Sequence, residues 1–233
     1  MDELPCICIN LDERKDKWAK LQSTFQGTNI TPIRFSAIKH TVGWRGCGAS
    51  HTAIVTDAYN KKLSWILVVE DDCELANDFN ERWPSLKKEL WDTRDTWDIF
   101  LGGPTFVQGP VEPQGKQLVK IEKGFALHFY ILNAVAYRKI MDWNPDRDER
   151  IDVYYSEQLR IITTLPLIAK QRASVSDIEK ESTDYLELFI DSEKVIKKLL
   201  YANRTRGTTL TLLFTSMIVL FGIWYNSKRG LRN

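Results

Sequence analysis

Three consecutive acids close an apolar run in this chain. Residues 65–72 read Trp-Ile-Leu-Val-Val-Glu-Asp-Asp, and a short β-branched run of this kind is a buried strand. In an open α/β sheet, ligands bind in the crevice beyond the carboxyl ends of the strands. Glu70, Asp71 and Asp72 at such an end repel one another, and the repulsion favours a hard divalent cation, the kind of ion that grips a diphosphate. The plainer alternative is an acidic turn that caps the next helix.

The elements that must position these acids alternate. Residues 5–11 read as a first strand, and a polar helix over 12–25 follows with Trp18, Leu21 and Phe25 at helical spacing. A second strand is predicted over 30–38. Residues 43–48, Gly-Trp-Arg-Gly-Cys-Gly, read as a glycine-rich turn before a helix over 49–61. The acid-tipped strand follows. A helix over 77–91 then carries Phe79, Trp83, Leu86 and Leu90 on one face, and a strand over 97–101 ends in Gly102-Gly103. This order predicts an α/β fold with a mixed, mostly parallel sheet flanked by helices. Beyond Pro104 the expectations are a hairpin near 113–115 and an apolar run over 125–132. A helix over 133–143, another over 151–159, a late strand over 164–169 and a polar loop over 171–182 complete the domain.

Composition narrows the function classes. The 233 residues carry a net charge of +1 with no basic face, which argues against nucleic acid as a partner. Cys6, Cys8, Cys47 and Cys73 form no CxxC pair and histidines number three, so the pattern is reduced thiols rather than a structural zinc site. The acidic start, Met-Asp-Glu-Leu-Pro, lacks the apolar core of a signal peptide.

The C-terminal part differs in character. Residues 208–225 are eighteen residues without a charge, enough for a membrane span, with Trp224 and Tyr225 at a headgroup position. Lys197, Lys198, Arg204 and Arg206 precede this run, and Lys228, Arg229 and Arg232 follow it. The organisation expected is a domain over 1–182, a connector helix over 183–207, a transmembrane segment over 208–225 and a basic tail over 226–233. Such a tail anchor would leave the domain on the cytosolic side of a membrane.

Taken together, ordered blocks from about Ile7 to Ile178 resemble glycosyltransferase family 25, the lipooligosaccharide and procollagen galactosyltransferases. The blocks are ICINLDERKDKW at the start, then Gly46-Cys47 with Ser50-His51, WILVVEDDCEL, WDIFLGG, and Ala126 through His128 to Ile131. Ile151-Asp152 with Tyr154-Tyr155, Pro166 to Gln171, and Ser176-Asp177-Ile178 complete the order. The resemblance implies a glycosyltransferase-A type fold, a UDP-sugar donor, a divalent cation (Mn2+ or Mg2+) and inversion at the anomeric carbon. It also implies a glycan or glycoprotein acceptor.

Roles follow from that implication. Negative charge grows on the departing diphosphate and a cation offsets it. Asp72, with Glu70 or Asp71, is the expected metal holder, one of these acids bonding the donor ribose instead. His128 is a further metal ligand or sugar contact under the resemblance; otherwise it is a core histidine. Asn10 and Arg14 follow the first strand, and Arg14 suits a phosphate or the uracil edge. The alternative is a helix start capped by Asp12, with Arg14 in solvent. Ser50 and His51 are expected at a helix N-terminus, where backbone amides bind anions; His51 is a catalytic candidate that touches the diphosphate or the sugar, the alternative being a structural histidine. Asp152 is the first candidate for the base that takes the acceptor proton, with Tyr154 and Tyr155 beside it to stack on sugar; a helix cap is the competing role. Gln171 and Asp177 are expected to close over the donor. Two other classes compete with a transferase: a degenerate module that binds nucleotide sugars or scaffolds partners at a membrane, and a metal-dependent phosphoesterase. The scarcity of histidine disfavours the last.

Overall fold

The computed structural model describes residues 2–172 and 192–203. The span expected over 208–225, Asp177 and most of the connector lie outside the described residues. Among the described residues, no helix is long and apolar enough to cross a membrane.

The chain opens with strand β1 (Cys6–Asn10), helix α1 (Lys15–Phe25), strand β2 (Pro32–Ser36), helix α2 (Gly43–Asn60) and strand β3 (Trp65–Glu70). A short strand β4 (Cys73–Leu75), helix α3 (Phe79–Asp92) and strand β5 (Ile99–Leu101) come next. A hairpin of β6 (Phe106–Pro113) and β7 (Leu118–Phe125) precedes β8 (Phe129–Asn133). Helix α4 (Tyr137–Met141), helix α5 (Ile151–Gln158), β9 (Ile161–Thr164) and β10 (Ala169–Gln171) follow. A helical stretch over 192–203 packs back onto this body, burying Ile196. There Asn203 donates to the Val111 carbonyl at 2.8 Å.

Eight strands form one sheet in the order β2-β1-β3-β8-β5-β9-β7-β6, and β10 pairs with β4 beside it. β1 pairs in parallel with β2 and β3, as β5 does with β9. β8 is antiparallel to both of its neighbours, β3 and β5, and β7 is antiparallel to β6 and β9. The sheet is therefore mixed, with antiparallel pairs outnumbering parallel ones, which corrects the expectation of a mostly parallel sheet. An apolar strand reads the same in either direction, so period and composition do not reveal the reversal at β8.

Alternation along the strands separates two cores. Cys6, Cys8, Leu67, Val69, Phe100, Phe129 and Ile131 pack under α1 and α3, burying the predicted face of Phe79, Trp83, Leu86 and Leu90. Ile9, Ile66, Val68, Tyr130 and Leu132 pack under α2, α4 and α5. β3, buried along its length until Glu70, is the centre of both. Fully burying one such aliphatic side chain contributes about 1.5–3 kcal/mol, so this strand is anchored firmly enough to hold acids at its tip.

Several boundaries differ from the sequence reading, among them the helix expected over 133–143, which is α4 over Tyr137–Met141. The glycine-rich stretch is not a turn but the first two turns of α2. A Cβ on Gly46 would stand 2.5 Å from the Ile38 carbonyl oxygen, and one on Gly48 would enter the Trp143 ring at 2.2 Å. These glycines are there for close packing. The late strand expected over 164–169 is instead the link between β9 and β10, through the cis Leu165–Pro166 bond.

Candidate active site

The tip of β3 is where the chemistry-bearing groups converge. β8 runs antiparallel beside β3, so its beginning meets the end of β3: the Glu70 amide donates to the His128 carbonyl at 3.1 Å. After Glu70 the chain turns through Asp71 and Asp72 into β4. There β10 returns, the Arg172 amide donates to the Asp72 carbonyl at 2.8 Å, and Gln171 donates to Asp72 Oδ2 at 3.0 Å.

A cavity of about 420 Å3 opens beside this tip, lined by Trp44, Cys47, Glu70, Arg150, Asp152 and Gln171, with Phe106, Phe125 and Leu127 among its apolar walls. That volume lies within the range of small-molecule pockets. Trp44, Cys47 and His51 fall on one face of α2 at helical spacing, the first two lining the cavity and His51 standing behind them, fully buried. His51 Nδ1 is 2.8 Å from the Tyr130 hydroxyl, and its Nε2 stands 3.4 Å from Glu70 Oε1 without forming a hydrogen bond.

Electrostatics mark the same place. Burial raises the Asp72 carboxyl from 3.8 to about 7, helped by the charges of Glu70 and Asp71 and opposed by the Gln171 bond. Its Oδ1 is buried without a hydrogen-bond partner among the described residues. Burial works to raise Glu70 too, but the contact with His51, reinforced by Lys17, outweighs it and holds Glu70 below its usual range. Burial pushes His128 down to about 4, against the pull of Glu70, so its ring is neutral near pH 7 with both nitrogens unpartnered. Burial likewise raises Asp152, which sits in the first turn of α5 with its Oδ1 accepting from the Val153 amide at 3.0 Å. A buried, charge-crowded carboxylate with an unpartnered oxygen is what a hard cation offsets; among the described residues, the ligand atoms close enough together to hold one ion are those of Cys47, His51 and Glu70, and Asp72 and His128 stand outside that group.

A second polar group lies at the ends of β1 and β2. Asn10 donates to Asp71 Oδ2 at 2.8 Å and to the Arg14 carbonyl at 3.0 Å, and accepts from Arg34 Nε at 2.8 Å. Lys17 Nζ stands 3.7 Å from Asp71 Oδ1. Asp71 is thus tied toward β1, while Asp72 is tied toward β10, so the acidic triplet splits between two neighbourhoods. Arg14 sits at the start of α1 with its guanidinium on Asp16 at 3.2 Å.

Several expectations need correction. Ser50 and His51 are not at a helix N-terminus but two turns inside α2, and the Ser50 hydroxyl is spent on the Gly46 carbonyl and the Ile38 amide, both at 2.8 Å. Its role is to pin the β2–α2 loop. Tyr155 is buried in the core against His51 and Tyr130, and the Tyr154 hydroxyl donates to the Lys139 carbonyl at 3.0 Å, so neither is a sugar-stacking platform in the cavity. The aromatic walls are Trp44, Phe106 and Phe125. These, with Arg150 and Cys47, were missed from the sequence. The usable signal was Trp44-x-x-Cys47-x-x-x-His51, a helical spacing hidden by its glycines.

Among families, residues 39–129 match the model of glycosyltransferase family 25 (LPS biosynthesis protein). The resemblance drawn from the sequence is shown over that segment, which holds Cys47, His51, Glu70, Asp71, Asp72 and His128; Asp152 and Gln171 lie beyond it. No curated protein sequence matches the chain. Among solved structures, a glycosyltransferase involved in the glycosylation of the major capsid of PBCV-1 superposes with a TM-score of 0.48 at 10% identity, covering 80% of this chain and 100% of that one. A197 from STIV gives 0.42 at 12% identity over 72% of this chain and 85% of that one. UDP-glucose pyrophosphorylase complexed with UDP-glucose gives 0.40 at 12% identity, covering 81% and 74%.

Proposed function

We propose that this chain transfers a hexose, galactose or glucose, from a UDP-sugar to a hydroxyl of a glycan or protein, with inversion and with the help of a divalent cation. The family match over 39–129 supports the transferase class. The observation that carries the mechanism is the meeting of Glu70 and Asp152 on the walls of one cavity, with Asp72 reached through Gln171.

In this reading Asp72, Glu70 and His128 would hold the cation, which would supply positive charge against the leaving diphosphate. Arg150, on the cavity wall, adds a fixed charge of the same sign for the phosphates. Asn10, Asp71 and Arg14, grouped at the end of β1, suit the nucleoside. The acceptor hydroxyl attacks the anomeric carbon as the bond to the diphosphate breaks, and its proton passes to Asp152. A carboxyl raised by burial is a better base for that step than an exposed one. Trp44, Phe106 and Phe125 supply apolar surface for the sugar rings.

The test is donor hydrolysis by the full chain with Mn2+ and a panel of UDP-hexoses. Wild type should turn over at least one donor, and Asp72→Ala should not; equal turnover in the two rejects the cation reading. We also propose that residues 208–225 tether the enzyme to a membrane, with the domain on the cytosolic side. Retention in the membrane fraction after alkaline wash, lost on truncation after Asn203, is the expected result.

A further inference from the structure

The Cys47–His51–Glu70 cluster is not used by the mechanism above beyond Glu70 itself. One ligand atom from each residue lies within 4.8 Å of the others. Cys47 and Glu70 line the cavity, and His51 is fully buried behind them with Nε2 turned toward Glu70 and no hydrogen-bond partner. We propose that these three side chains form a binding site for a borderline-soft divalent cation, zinc in the first instance, separate in donor chemistry from the hard-cation site at Asp72.

Three observations converge. The donor set is sulfur, nitrogen and oxygen, the mixture zinc takes and magnesium does not. Tetrahedral zinc with bonds of about 2.1 Å to nitrogen and oxygen sets those two atoms about 3.4 Å apart; His51 Nε2 and Glu70 Oε1 stand at 3.4 Å. Finally, a ligating histidine normally engages its other ring nitrogen, which fixes tautomer and ring orientation. Here His51 Nδ1 lies 2.8 Å from the Tyr130 hydroxyl, a partner that can accept from Nδ1–H in the tautomer that leaves the Nε2 lone pair to the metal. Binding sends the Cys47 thiol proton to solvent. Three protein ligands leave the fourth position toward the cavity, the pattern of an open rather than a closed zinc site. Because Glu70 is common to both sites, zinc here withdraws it from the hard cation, which predicts inhibition of the proposed transferase by zinc; that consequence alone rests on the transferase reading.

The test reads binding, not turnover. The full chain is stripped of metal and titrated with Co2+, followed by optical absorption, then competed with Zn2+ against a chromophoric chelator. One equivalent with an intense tetrahedral spectrum and a thiolate-to-cobalt band is expected. Cys47→Ser should abolish the thiolate band and weaken Zn2+ at least hundredfold, and Tyr130→Phe, which leaves all three ligands in place, should weaken it roughly 10–100-fold. Asp72→Asn should leave the cobalt spectrum unchanged while losing its response to Mn2+, which separates failure of this site from failure of the transferase reading. A thiolate band that survives in Cys47→Ser, pointing to the buried thiols of Cys6, Cys8 or Cys73, overturns the proposal. So does a wild type that binds Co2+ without such a band.

Discussion

Replacing Asp72 by Asn tests the site through stability as well as binding. The carboxyl at 72 stands at about 7 in the folded chain against 3.8 for an ordinary aspartate, chiefly through burial. An acid raised by folding binds more protons folded than unfolded, so its contribution to stability falls as pH rises through that interval. At about 1.4 kcal/mol per pH unit, the interval from 3.8 to about 7 amounts to about 4 kcal/mol, reached above pH 7. Asn keeps the size, keeps one amide oxygen that can accept from Gln171, and removes the charge. Between pH 5 and pH 8 the wild type should therefore lose about 3 kcal/mol relative to the variant. For a domain of this size that is a difference of about 6–12 °C in melting temperature opening between the two pH values.

Adding a cation narrows the gap. A ligand at a hundred times its Kd stabilises the folded state by about 2.7 kcal/mol, so Mn2+ at that excess should raise the wild-type melting temperature and leave Asp72→Asn where it was. Scanning fluorimetry at the two pH values, with chelator and then with Mn2+, reads all four cases. A variant less stable than wild type at pH 8 in chelator would refute the reasoning, because it would make the Asp72 charge a net stabiliser. A variant that kept the Mn2+ shift would place the cation elsewhere.

Three further outcomes are expected. Asp98 is buried at the head of β5 and bonded by the Arg160 amide and guanidinium and by Lys139. Burial would raise its carboxyl, but these partners hold it below 3.8; the stability it contributes is full above that value and fades as pH falls through the lowered one. Since both cations are about half exposed, Asp98→Ala should cost about 2–3 kcal/mol by urea denaturation rather than the larger figure for a fully buried pair, and an unchanged midpoint would reject the pairing. Gly103→Ala should be destabilised by about 1–3 kcal/mol or more, because a Cβ there would stand 1.9 Å from the Ala169 carbonyl oxygen; wild-type stability would mean that β10 is not seated against Gly103. Asp152→Asn should lower transfer by about 10²–10⁴ while UDP-sugar affinity by calorimetry stays as in wild type; loss of both together would make Asp152 a binding group.

Much of this fold was legible because local signals agreed with it. The apolar run of β3 ends at Glu70 as composition suggests, and α3 buries the four residues its spacing picks out. What failed was where tertiary packing overrides local preference. Glycines at 43, 46 and 48 read as a turn by propensity, yet α2 takes them because Ile38 and Trp143 leave no room for a Cβ at 46 and 48. The run over 125–132 looked like one element but belongs to two, β7 ending at Phe125 and β8 starting at Phe129. Tyr155 looked like a sugar platform beside Asp152, but its ring is buried in the core against His51 and Tyr130. The acids were found because three charges on an apolar strand are conspicuous. Cys47 and Arg150 were missed because nothing local distinguishes a cavity wall from a surface.

The convergence has a topological cause with an energetic consequence. Because β8 reverses between β3 and β5, the crevice at the end of β3 receives the start of β8 rather than the end of another parallel strand. His128 therefore meets Glu70 from one side, α2 brings His51 and Cys47 from above, and α5 brings Asp152 across the cavity. Each arrives buried: His128 is driven down to about 4 and Asp72 up to about 7 by the same desolvation. Atoms of His51, Asp72 and His128 are left there without a hydrogen-bond partner among the described residues. Each such group left unsatisfied costs stability in the ligand-free fold. A cation, or a ligand that brings hydroxyl groups, can satisfy such atoms, whereas an apolar substrate satisfies none of them, and that asymmetry is the physical ground on which the cation proposal rests.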